Sequence, residues 1–105
     1  MSMYNIQYLH LFYIDLNTTI DYISNVLCNP DAANNLYEET INKINEIRKN
    51  PFVFRTYDGN ENFKYEFKKA KVKNYYIFFY VDEDTVRIVR FIYSMRDIDN
   101  LLDII

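Results

Sequence analysis

The run Tyr75–Val81, YYIFFYV, limits the fold more than any other part of this chain. Its residues are aromatic or β-branched, and both alternating sets are apolar or aromatic, so neither face of the strand they form suits water. Such a strand belongs in the interior of a sheet, with cover on both sides. Turn signals bracket it: Lys73-Asn74 before, and Asp82-Glu83-Asp84 after. A further β-prone run, VRIVRFIY, follows the acidic turn and pairs back as a hairpin. FKYEFKKAKVK precedes the first turn and reads as another strand. Its apolar phase shifts between Phe67 and Ala70, which predicts a bulge or an entry bend there.

The first half of the chain supplies the cover. MYNIQYL alternates, with Tyr4, Ile6 and Tyr8 on one side, as a half-buried strand does. NTTIDYISNVLCNP then reads as a helix with Thr18 as N-cap and an apolar stripe of Ile20, Ile23, Val26 and Leu27, ended by Asn29-Pro30. DAANNLYEETINKINEIRKNP predicts a second, longer helix with Asp31 as N-cap. Its stripe is Ala33, Leu36, Tyr37, Thr40, Ile44 and Ile47, with Ile41 on the flank. Arg48 and Lys49 suit its C-terminal dipole. FVFRTYDGNENF is a loop with Asp58-Gly59 as its turn signal. RDIDNLLDII closes the chain as a short helix or an apolar tail. The order is β-α-α-β-β-β-(α). Two helices with one apolar stripe each form a hairpin packed on one face of a small antiparallel sheet, an α+β fold. Alternate residues of the last three strands line the other face, which is expected to be partly covered or to form a groove.

At 105 residues the chain fits a single domain, 1–105. The lone Cys28 rules out an internal disulfide, and helix burial is its expected role. No apolar run reaches the roughly 18 residues of a membrane span, and the first residues lack a basic and apolar leader. A cytoplasmic protein without membrane attachment is expected. Net charge is −3, but unevenly spread: residues 1–42 hold five acids and no Lys or Arg, whereas residues 43–81 hold nine cations and four acids. Overall acidity argues against non-specific coating of DNA.

A single glycine excludes a glycine-rich phosphate loop, and a single histidine, His10, excludes imidazole-built zinc sites. Asp82, Glu83 and Asp84 read as a solvated turn, so no metal and no cofactor is implied. The lysines Lys64, Lys68, Lys69, Lys71 and Lys73 suit either a charged sheet edge or a phosphate-contacting surface. Arg87 and Arg90 are three residues apart, which on a regular strand puts them on opposite faces. One of them, with Tyr93 and Arg96, is expected on the open sheet face. Tyrosine beside arginine suits stacking on bases or a protein–protein hot spot.

These patterns resemble the RelE/ParE family of bacterial type II toxin–antitoxin toxins over nearly the whole chain. The carrying features are the N-terminal strand and helix ending in NP, and the second helix AANNLYEETINKINEIRKNP. They are joined by the closing KVKNYYIFFYVDEDTVRIVRFIYSMRDIDNLL, and by the length itself. The resemblance implies a RelE/ParE-like fold and a growth-inhibiting toxin, with plasmid stabilisation as an associated role. It also implies a cognate antitoxin that neutralises the toxin by direct binding. Some family members act as mRNA interferases, cutting mRNA in the ribosome. Others inhibit DNA gyrase without cutting anything. For the nuclease reading, position matches Lys69 or Lys71 and Arg96 to basic catalytic sites, with Tyr93 near a family histidine. Tyr76 stands where ribosome-cutting members often carry Arg, and Leu101 and Leu102 occupy the region of a catalytic Tyr. Tyr76, Tyr80, Arg90 and Lys73 are the expected contacts of antitoxin or target. A non-enzymatic inhibitor and a degenerate toxin fold kept for binding are the other readings.

Overall fold

The computed structural model describes residues 3–59 and 63–105. The chain runs through β1 (Asn5–Tyr8), α1 (His10–Asp21), a π-helical turn (Tyr22–Val26) and α2 (Pro30–Lys49). A 3₁₀ turn (Pro51–Val53) and the short β2 (Arg55–Thr56) lead to β3 (Lys68–Val72), β4 (Tyr75–Asp82), β5 (Thr85–Tyr93) and α3 (Ile98–Leu102). One five-stranded sheet has the order β1-β5-β4-β3-β2. YYIFFYV is therefore the middle strand, as its two apolar faces demand.

Both faces are covered. Phe12 and Leu16 of α1, with Leu36, Ile44 and Ile47 of α2, pack on Ile77, Phe79, Val86, Ile88 and Phe91. On the opposite face, Phe78, Val89 and Ile92 meet Phe67 and Leu102, flanked by Tyr57, Phe63, Tyr65 and Ile98. The chain thus covers its own second face with the β2–β3 connection and α3. No helix among the described residues is long and apolar enough to cross a membrane.

Several local expectations change. The class is α+β, but the sheet is mixed: β1 pairs parallel to β5, from Asn5↔Thr85 to Tyr8↔Ile88. Parallel pairing needs a long crossover, which local sequence pattern does not encode. The first helix begins at His10 and not at Thr18, because burial of Phe12 and Leu16 on β5 sustains it across the Thr-Thr step. Thr19 Oγ1 donates to Asp15 O at 2.8 Å inside the helix. Asn29, not Asp31, caps α2, accepting from Ala32 N at 3.1 Å with Pro30 at the first helical position. Tyr37 is exposed on the flank of α2, and Cys28 is exposed with a φ of 53° at the joint before α2. Phe67 and Ala70 face opposite sides without a bulge: Phe67 packs in the second cluster, Ala70 in the first. The expected Asp58-Gly59 turn runs into residues 60–62, outside the described residues.

The bulge lies instead in β5. Phe78 pairs with Arg90 and Phe79 with Ile88, so Val89 has no partner. That extra residue resets the phase, placing Arg87 opposite Tyr80 and Arg90 opposite Phe78. The two arginines therefore share a register phase instead of facing opposite sides.

β1 pairs only with the first half of β5. Beyond Ile88 the edge of β5 would be open, and Asp15 of α1 closes it. The Asp15 carboxylate accepts Phe91 N at 3.0 Å, Arg90 Nε at 2.6 Å and Arg90 Nη2 at 2.9 Å. Arg90 Nη1 donates to Leu101 O of α3 at 2.9 Å. One carboxylate and one guanidinium so tie α1, β5 and α3 together in a bidentate pair that is nearly buried, Arg90 being 7% exposed. Asp15→Ala strands that guanidinium and an edge N–H. An unfolding free energy lower by about 3–5 kcal/mol is expected by urea denaturation. A loss below about 1 kcal/mol, the worth of an exposed pair, would show that the junction does not hold these elements.

Candidate functional site

Tyr93 and Arg96 come together at the end of β5. Arg96 N donates to Tyr93 O at 3.0 Å, and Ser94 N donates to Asn74 O at 2.8 Å. This tight turn folds Arg96 back beside the strand end. Tyr93 lies across from Tyr75 in the sheet register. Its ring meets Tyr75 edge-on at 5.6 Å, and Tyr75 stacks on Phe91 at 5.0 Å. These rings belong to the helix-bearing side of the sheet, not to the second face expected from sequence. They and Arg96 line a cavity of about 260 Å³ whose other wall is α1, through Ile14, Thr18 and Thr19. Asp15, Arg90 and Leu101 form its floor. Burial first, and then the nearby Tyr93 and Tyr22 phenols, push the Tyr75 hydroxyl above its ordinary pKa.

Lys69 and Lys71 lie elsewhere. Both belong to β3, across from Phe78 and Tyr76, on the second face. Lys69 Nζ stands 5.0 Å from the Tyr76 ring centroid and 5.7 Å from that of Tyr57. Tyr80 stacks on Tyr65 at 4.0 Å with the rings 7° from parallel. Burial first, and then the hydrogen bond with Tyr65, raise its phenol. Lys71 and Lys73 also border a shallow, mixed-charge cavity with Glu39, Lys43 and Glu46 of α2. Lys73 Nζ reaches Glu39 at 3.8 Å, an exposed pair of small energetic weight.

The residues singled out from sequence therefore form two separate groups, one at the end of β5 beside α1 and one on the second face of the sheet. Tyr93 and Arg96 form one; Lys69, Lys71, Tyr76 and Tyr80 form the other. Arg90 belongs to neither as a free contact, because Asp15 and Leu101 take up its guanidinium. Three residues were missed. Asp15 gave a signal, as a lone acid inside the apolar stretch LFYIDL. Tyr75 was legible only as part of a core strand. Tyr57 fell in a presumed loop, yet its hydroxyl donates to Asp99 at 2.6 Å, pinning the β2–β3 connection to α3. A side chain at Gly59 would collide with both groups.

A family model described as the ParE toxin of the type II toxin–antitoxin system, parDE, matches residues 6–98. Among solved structures, the chain is similar to one from a chromosomal ParDE toxin–antitoxin system of P. aeruginosa. The TM-score is 0.70 at 13% identity, covering 87% of this chain and 96% of that one. At that identity the likeness establishes the fold. No curated protein sequence matches.

Burial above all, then the bond to Asp99 and the charges of Asp99 and Asp97, push the Tyr57 phenol up to about 12. The phenol is raised in the folded state, so its contribution to stability is intact below about pH 10, the unfolded value. It is lost as pH rises through about 12. Absorbance titration is expected to show one phenol ionising last, near that pH, and Tyr57→Phe is expected to remove it. A titration unchanged by Tyr57→Phe would disprove the Tyr57–Asp99 link.

Proposed function

Because this chain belongs to the ParE toxin family of type II toxin–antitoxin systems, we propose that it arrests growth by binding an essential protein, and that a partner antitoxin neutralises it by direct contact. DNA gyrase is the target class that the family resemblance offers. One observation carries the choice of binding over RNA cleavage. Cleaving RNA needs a base at the ribose 2′-hydroxyl, an acid at the leaving oxygen and cations at the phosphate, all around one scissile bond. Here Tyr93 and Arg96 line the cavity beside α1 at the end of β5, whereas Lys69 and Lys71 sit on β3, beyond β4, across from Phe78 and Tyr76. Lys69 rests over two tyrosine rings, a placement that suits a contact surface. Tyr76 and Tyr80 remain the proposed contacts on that face and Lys73 a proposed contact beside α2, with Arg90 reassigned to structure.

The test is pulse-labelling of DNA and protein synthesis in bacteria just after inducing this chain alone. DNA synthesis is expected to stop first, and a Lys69→Ala, Lys71→Ala double variant is expected to weaken that arrest without changing which process stops first. Protein synthesis that collapses first, and is restored by the double variant, would establish RNA cleavage instead. No effect on either process would mean that the chain is not an inhibitor in that host.

A further inference from the structure

The cavity between α1 and the end of β5 has an unusual charge balance. Its floor is settled: Nε, Nη1 and Nη2 of Arg90 all find acceptors, and Asp15 is filled by Arg90 and Phe91. Its rim is not. Arg96 is exposed, and no carboxylate lies within ion-pairing distance of it among the described residues. Among the described residues that guanidinium stands unpaired, beside the edge-to-face pair of Tyr75 and Tyr93. Ile14 and Tyr93, two of the exposed large apolar side chains, border the same opening. α1 runs on into the π-helical turn, where Leu27 N donates to Tyr22 O at 3.0 Å. Such turns recur at functional sites.

We propose that this cavity is a docking site for a protein segment that inserts a bulky apolar side chain between Tyr75, Tyr93 and Ile14, and pairs a neighbouring Asp or Glu with Arg96. The proposal rests on reading the chain as an inhibitor that acts by binding proteins. The guanidinium fork matches a carboxylate in two parallel hydrogen bonds. Arginine and tyrosine together around an apolar pocket are the composition of interface hot spots. A nucleic acid is disfavoured. Its backbone is held by several cations at once, and this cavity offers one uncompensated cation beside a wall drawn from a segment with five acids and no Lys or Arg.

The probe is a random library of 12-residue peptides displayed on phage and selected on the full chain. Selected peptides are then synthesised and their affinities measured on the wild type, Arg96→Gln, Arg96→Lys and Tyr93→Ala, each first checked for an unchanged melting temperature. The expected consensus pairs an Asp or Glu with a bulky apolar residue. Affinity is expected to fall at least about tenfold on Arg96→Gln, to recover in part on Arg96→Lys, and to fall on Tyr93→Ala. No enriched consensus, a consensus without an acid, or affinity indifferent to Arg96→Gln would overturn the proposal. So would a 20-nucleotide single strand that binds more tightly than the peptides and depends on Arg96. The assay reads no growth effect, so a chain that cut RNA would fail the labelling test and leave this result standing.

Discussion

The structure depends on an edge that has to be closed. β5 continues five residues past the end of its pairing with β1, from Val89 to Tyr93, and an unpaired edge next to the core exposes backbone polar groups. Asp15 resolves this from α1, as a stand-in for a missing strand. The same carboxylate brings in Arg90, and Arg90 brings in the backbone of α3. Because α1 is fixed at Asp15, Ile14 and Thr18 are fixed opposite Tyr75 and Tyr93, so the shape of the cavity follows from the closing of the edge.

The central strand has a second consequence. Phe78 and Phe79 are fully buried on opposite faces, so one side chain layer is not enough. Two helices cover one face. The aromatic connection before β3 and the short α3 cover the other, and the Tyr57–Asp99 hydrogen bond joins those two pieces. The second face, expected from sequence to be partly covered or to form a groove, is largely covered by the chain itself. Lys69, Tyr76, Tyr80 and Lys71 stay partly accessible there.

Much of this was legible from residue order alone. The alternation in MYNIQYL, the stripe in α2, the two turns and the burial of YYIFFYV all come from local periodicity, and all appear as strands, helix, turns and core. What escaped depends on contacts between distant segments. The start of α1 was set by Phe12 and Leu16 meeting β5, which outweighed the capping signal at Thr18-Asp21. The parallel pairing of β1 depends on a crossover. A bulge at Val89 has no mark in VRIVRFIY, yet it decides where Arg90 points and withdraws that residue from the candidate site. Lys69 and Arg96 looked like partners in sequence because both are basic; Lys69 lies on β3 and Arg96 beyond the end of β5, with β4 between the two strands.

The sharpest measurement is a map of new RNA 5′ ends in bacteria a few minutes after inducing this chain alone. An inhibitor that works by binding leaves that map unchanged while replication falls. New 5′ ends accumulating within translated codons, and disappearing with Arg96→Ala, would contradict it and show RNA cleavage that depends on Arg96.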